Sequence, residues 1–112
     1  MAEVIVTKQL ENEINRNFKN ESIEIFKLMN SLEENPKKGK IVGNIGKILI
    51  KEIKYKSYRF YFVLEGYKIK MLKASELKDL IIKFVRMSNK KNQQKTINEI
   101  KYILKSLGEE NF

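Results

Sequence analysis

Residues 47–73 read KILIKEIKYKSYRFYFVLEGYKIKMLK, and the pattern is that of a β-sheet. The stretch is dense in Ile, Tyr, Phe and Val, the residues that fit a pleated, half-buried surface, and it breaks at Lys56-Ser57 and Glu65-Gly66. Strands are expected at 47–55, 58–64 and 67–73, with a fourth at 79–87 after a break from Ala74 to Lys78. A two-residue hairpin at Glu65-Gly66 would pair Leu64 with Tyr67, Phe62 with Ile69 and Phe60 with Met71 on a core face. Side chains alternate along a strand, so Val63 with Lys68, Tyr61 with Lys70 and Arg59 with Leu72 fall on the other face. A turn at Lys56-Ser57 adds Lys54 opposite Arg59, Glu52 opposite Tyr61 and Ile50 opposite Val63 to that second face. One side of the sheet is then helix-packed, and the other carries Glu52, Lys54, Arg59, Tyr61, Lys68 and Lys70. An antiparallel sheet ordinarily has one wet face, so charge there does not by itself demand a function.

Ahead of this stretch, Ala2 to Val6 is expected as a short apolar strand, and Thr7 is placed to cap a helix carrying Leu10, Ile14 and Phe18 at four-residue spacing. Asn20-Glu21-Ser22 interrupts this pattern. Ile25, Phe26, Met29 and Leu32 resume it, with Ser22 as a candidate cap, which gives a helical hairpin or one bent helix. Asn35-Pro36 ends the helix, and Gly39, Gly43 and Gly46 punctuate a basic loop. Near the other end Thr96-x-x-Glu99 forms a capping box ahead of Ile97, Ile100, Ile103, Leu104 and Leu107, with Gly108 past the helix end. The expected fold class is α+β: an N-terminal strand and helical hairpin packed on an antiparallel sheet, with a C-terminal helix. A single domain over 1–108 and a loose tail at 109–112 account for all 112 residues, without repeats or linkers.

The sequence contains no Cys and no His, which excludes disulfides, thiol nucleophiles, imidazole acid–base chemistry and zinc sites with ordinary ligands. Chemistry must rest on carboxylates, Lys, Arg and Tyr. A formal charge of +9 favours polyanionic partners through counterion release. Apolar runs are too short to span a bilayer, and Lys8 and Glu11 interrupt the first one, so a cytoplasmic protein is expected.

Four motifs, in this order, resemble the RelE/ParE toxin superfamily and within it the phage-derived HigB-like branch. They are Leu32-Glu33-Glu34-Asn35-Pro36-Lys37-Lys38-Gly39, Ile50-Lys51-Glu52-Ile53-Lys54, Tyr58-Arg59-Phe60-Tyr61-Phe62, and Phe84 followed by Ser88 to Thr96. The resemblance covers most of the chain. It implies a RelE-like fold with a curved sheet, and the toxin half of a type II toxin–antitoxin pair that cuts mRNA on the ribosome without metal or cofactor. The implied partners are a cognate antitoxin protein, the ribosome and mRNA. On this resemblance Glu52 would be the general base, Arg59 a phosphate ligand, and Lys54, standing where the family has Arg, a cation without the planar fork. Arg86 at the end of the last expected strand would join the catalytic set, and Lys90 and Lys91 would bind the RNA backbone with Lys68 and Lys70. Tyr61 would stack on a base or orient a phosphate. A cross-strand ion pair for Glu52 and a solvated surface for the lysines are the plainer alternatives. The alternative function is a ParE-like inhibitor of a protein target, or a nucleic-acid-binding module of the same fold. The chain has only three arginines, which singles out Arg59, and with no histidine the leaving group would be protonated by Lys, Tyr or a ribosomal group.

Overall fold

The computed structural model describes residues 2–87, and the expected C-terminal helix, the tail, Lys90 and Lys91 lie outside that range. Strand β1 (Glu3–Val6) leads into helices α1 (Lys8–Phe18) and α2 (Ser22–Asn30), then β2 (Lys40–Ile45), β3 (Ile48–Tyr55), β4 (Tyr58–Glu65), β5 (Lys68–Leu72) and α3 (Ala74–Met87). The class is α+β, built on a five-stranded sheet in the order β1-β5-β4-β3-β2.

Thr7 caps α1 as its position suggests, its side-chain oxygen accepting from the Leu10 amide at 3.3 Å. Leu10 and Ile14 point from α1 into the core beside Ile25 and Met29 of α2. A 3-10 turn (Lys19–Glu21) separates the two helices. Ser22 does not cap α2: it is the helix's first residue and is buried, because the turn feeds directly into α2 without an extended capping residue.

The β3–β4 register is the expected one, with Lys54 opposite Arg59, Glu52 opposite Tyr61 and Ile50 opposite Val63. Between β4 and β5 the turn is Gly66-Tyr67 rather than Glu65-Gly66, so Phe62 faces Met71, Val63 faces Lys70 and Tyr61 faces Leu72. Gly66 takes the left-handed conformation (φ 60) that the first position of such a turn requires. The slide is two residues, an even number, so every side chain keeps its expected face.

Three further features differ from the expected fold. The sheet is mixed, because β1 pairs in parallel with β5, Glu3 beside Lys68 and Val6 beside Met71. The glycine-punctuated stretch is an edge strand: Gly43 follows a bulge in β2, and Gly46 sits in the turn to β3 with φ 57. Residues 79–87 are helical, since Leu77 and Ile81 are both fully buried at a four-residue spacing and the Leu77 amide already bonds the Lys73 carbonyl. A short apolar run rich in β-branched residues fits strand and helix equally by periodicity alone.

Two apolar layers result. Helices α1 and α2 cover one face through Leu10, Ile14, Ile25, Met29, Ile53, Phe60, Phe62, Ile69 and Met71. On the other face α3 sets Leu77 and Ile81 against Ile50, Val63 and Leu72, so the second face is only partly open to solvent.

Candidate functional site

The β3–β4 hairpin outreaches its neighbours. β2 pairs with β3 only up to Glu52, and β5 pairs with β4 only from Tyr61, so residues 53–60 have no strand on either flank. Edge-on packing of Phe18 against Tyr58 (ring centroids 4.7 Å apart) and a 3.0 Å ion pair between Lys56 and Glu21 hold the tip against the end of α1 and the 3-10 turn that follows it. The open-face residues at its base are Glu52, Lys54, Arg59 and Tyr61.

Register sets their geometry. Lys40 of β2, Glu52 of β3, Tyr61 of β4 and Leu72 of β5 form one row across the sheet, and Lys54 and Arg59 form the next. Directly opposed side chains have Cβ atoms roughly 5 Å apart, so Glu52–Tyr61 and Lys54–Arg59 are contact neighbours. Glu52 is 6% exposed, and among the described residues no ion pair involves Glu52, Lys54 or Arg59. Partial burial pushes the Tyr61 hydroxyl above its usual range; the Glu52 charge adds to this, and the adjacent Arg59 guanidinium opposes it. A tyrosine in that position keeps its proton at neutral pH and acts as a donor.

Two depressions flank the hairpin base. One, of about 260 Å³, is bounded by Lys38, Gly39, Lys40, Glu52 and Lys54. Gly39 has φ 103 there, and a Cβ on it would lie 2.9 Å from the Glu52 carbonyl oxygen, so only glycine lets the chain pass this close to β3. The other, of about 150 Å³, is bounded by Glu13, Arg59, Tyr61, Leu72 and Lys73, with Lys73 ion-paired to Glu13 at 3.6 Å. Lys40, Lys73 and Glu13 were not legible in the sequence as site residues, and Lys38 stood there only within the Leu32 to Gly39 motif. Lys40 belongs to a strand the glycines disguised, and Lys73 and Glu13 meet only through tertiary packing.

The structure does not gather every expected residue here. Lys68 and Lys70 are exposed on the same face, but Lys70 stands opposite Val63 and Lys68 opposite Glu65. At about 3.4 Å per residue along β4 they are displaced from Arg59 by roughly 14 and 20 Å. Arg86 lies in the last turn of α3 and not on a strand. No group of His, Cys, Asp or Glu among the described residues could hold a metal ion, and none of their helices is long and apolar enough to cross a membrane. Comparison with protein-family models, with characterised proteins and with solved structures finds no match.

Proposed function

We propose that the chain is a RelE-like, ribosome-dependent mRNA endoribonuclease, the toxin of a toxin–antitoxin pair, acting in the cytoplasm and neutralised by its antitoxin protein. The observation that carries the reading is the adjoining placement of Glu52, Tyr61 and Arg59 on one sheet face, bordered by Lys40 and Lys54. RNA can be cut without metal when its own 2′-hydroxyl attacks the neighbouring phosphorus. The 2′-oxygen–phosphorus bond forms, the bond to the 5′-oxygen breaks, and a 2′,3′-cyclic phosphate and a 5′-hydroxyl result. Glu52 takes the 2′-proton, Arg59 holds the phosphate through its planar fork, and the protonated Tyr61 hydroxyl gives its proton to the departing 5′-oxygen. Lys40 and Lys54 add positive charge against the negative charge developing on the non-bridging phosphoryl oxygens.

The burial of Glu52 favours a second reading, a non-enzymatic ParE-like toxin or nucleic-acid-binding module in which that carboxylate is a structural neighbour of Lys40 and Tyr61. One experiment separates the two: controlled expression of wild type and Arg59→Ala in a bacterial host, with growth and mRNA 5′ ends followed together. Growth arrest with new cuts inside translated codons, both lost in Arg59→Ala, supports the nuclease. Arrest without cuts favours the second reading, and no arrest rejects both toxin readings in that host. Arg59 is exposed, so its loss should leave the melting temperature nearly unchanged.

A further inference from the structure

Lys51 and Glu52 are consecutive on β3 and therefore point to opposite faces of the sheet. Lys51 turns to the helix-packed side, beyond the reach of α1 and α2, where a pocket of about 380 Å³ opens between Pro36, Ile41, Leu49, Leu64 and Tyr67. Small-molecule sites run from about 300 to 1,000 Å³ and are mostly apolar with a few placed polar groups. Ile41 and Tyr67 at the rim are 60% and 79% exposed, unusual values for large apolar side chains on the flank of a core.

The charge is equally unusual. Lys51 is only 5% exposed, and its Nζ donates to the Lys37 and Pro36 carbonyls at 3.0 and 3.4 Å and stands 5.8 Å from the Phe62 ring centroid. Its third donor has no acceptor among the described residues, and no described carboxylate ion-pairs with it. The lining contains no Asp or Glu and a second cation, Lys37. Burial holds the Lys51 pKa below its ordinary value, with no anion acting against that effect. Two carbonyl dipoles and a ring face offset part of the cost of a buried ammonium, and an anion would offset the rest.

We propose that this pocket binds a small organic carboxylate with an apolar aryl or short aliphatic body. The carboxylate sits at Lys51 and Lys37, and the body lies against Ile41, Leu49, Leu64 and Tyr67. A peptide adding as a strand is disfavoured because the adjoining edge, β2, is bulged between Ile41 and Gly43 and begins on a lysine, two devices that blunt strand addition.

The test titrates the isotope-labelled full chain with 2-naphthoate and with its neutral counterpart 2-naphthalenemethanol, following amide shifts and melting temperature. Naphthoate should bind saturably, at least tenfold tighter than the alcohol, with shifts confined to Ala2 and residues 37–41, 49–51 and 64–67 and a melting temperature that rises with ligand. Lys51→Met should remove the preference for the acid while retaining alcohol binding. If that variant fails to fold, Lys37→Gln should still cut the preference by severalfold. Equal affinity for acid and alcohol, or shifts centred on Lys54 and Arg59, would overturn the proposal. So would an absence of saturable binding at millimolar ligand, or a concentration-dependent dimer abolished by Tyr67→Ser in a chain that ignores the probe. Cleavage of mRNA is not among the readouts, so the nuclease reading stands or falls separately.

Discussion

Tyr61 and Lys51 are both half or wholly buried polar side chains on adjacent strands, and burial drives each toward its uncharged form with opposite consequences. For Tyr61 the uncharged form is the protonated one. In the proposed nuclease an acid catalyst must hold its proton, so on that proposal the raised pKa means the rate supported by Tyr61 should not decline through loss of that proton until the pH exceeds 10, the ordinary tyrosine value. On the nuclease proposal, Tyr61→Phe should lower single-turnover cleavage by about 10²–10⁴-fold, the usual range for a general acid, while leaving ribosome binding nearly intact. Equal loss of binding and cleavage would make Tyr61 a stacking residue instead. For Lys51 the uncharged form is the deprotonated one. Its folded pKa lies below the unfolded value, so between the two the unfolded chain binds more protons and stability rises with pH. Compared with Lys51→Met, wild type should therefore gain stability as the pH climbs toward 10.5, and urea unfolding of both proteins across that window would detect it. A constant difference between them would show that Lys51 titrates as it does in the unfolded chain.

Elements are joined at a few points that short substitutions can probe. The Thr7 hydroxyl accepts from the Leu10 amide at the start of α1 and donates to Glu76 Oε1 at 2.6 Å, while the Lys73 amide donates to the same carboxylate oxygen at 3.0 Å. One side chain thus ties the beginnings of α1 and α3 together. Thr7→Val keeps the shape and removes both bonds, at an expected cost of about 2 kcal/mol. Amide exchange in α3 should accelerate more than in α2, and an even acceleration would show that the two ends are not coupled. Turns give a second test. Gly39→Ala must accept both φ 103 and a 2.9 Å contact with backbone, whereas Gly66→Ala meets open space at φ 60. The first should cost roughly 3 kcal/mol and the second about 1 kcal/mol in denaturant unfolding. Reversal of that order would mean the segment before β2 relaxes away from β3.

Across the whole molecule, what the sequence revealed was set by local patterns. Alternation in KILIKEIKY and YRFYFVLE, closed by Lys56-Ser57, was enough to place Glu52, Lys54, Arg59 and Tyr61 on one face in the right register. The misplacement of the β4–β5 turn did no harm to the faces because it was even. What escaped was non-local or ambiguous. Nothing in Glu3–Val6 announces a parallel partner, Gly43 and Gly46 read as loop although one flanks a bulge and the other makes a turn, and Ile81-Ile82 suits strand and helix alike. The separation of Lys68 and Lys70 from Arg59 needed the observed pairing. Parallel docking of β1 beside β5, Glu3 against Lys68, also joins segments more than half the chain apart. Loop closure over that span must precede its reward, so β1, although made before β5, is among the last strands that can be seated. A nascent chain leaving the ribosome would hold β1 unpaired until β5 had emerged, so the edge of the sheet beside β5 would close only after the β2–β3–β4 hairpins, with their row of charge, could already have formed.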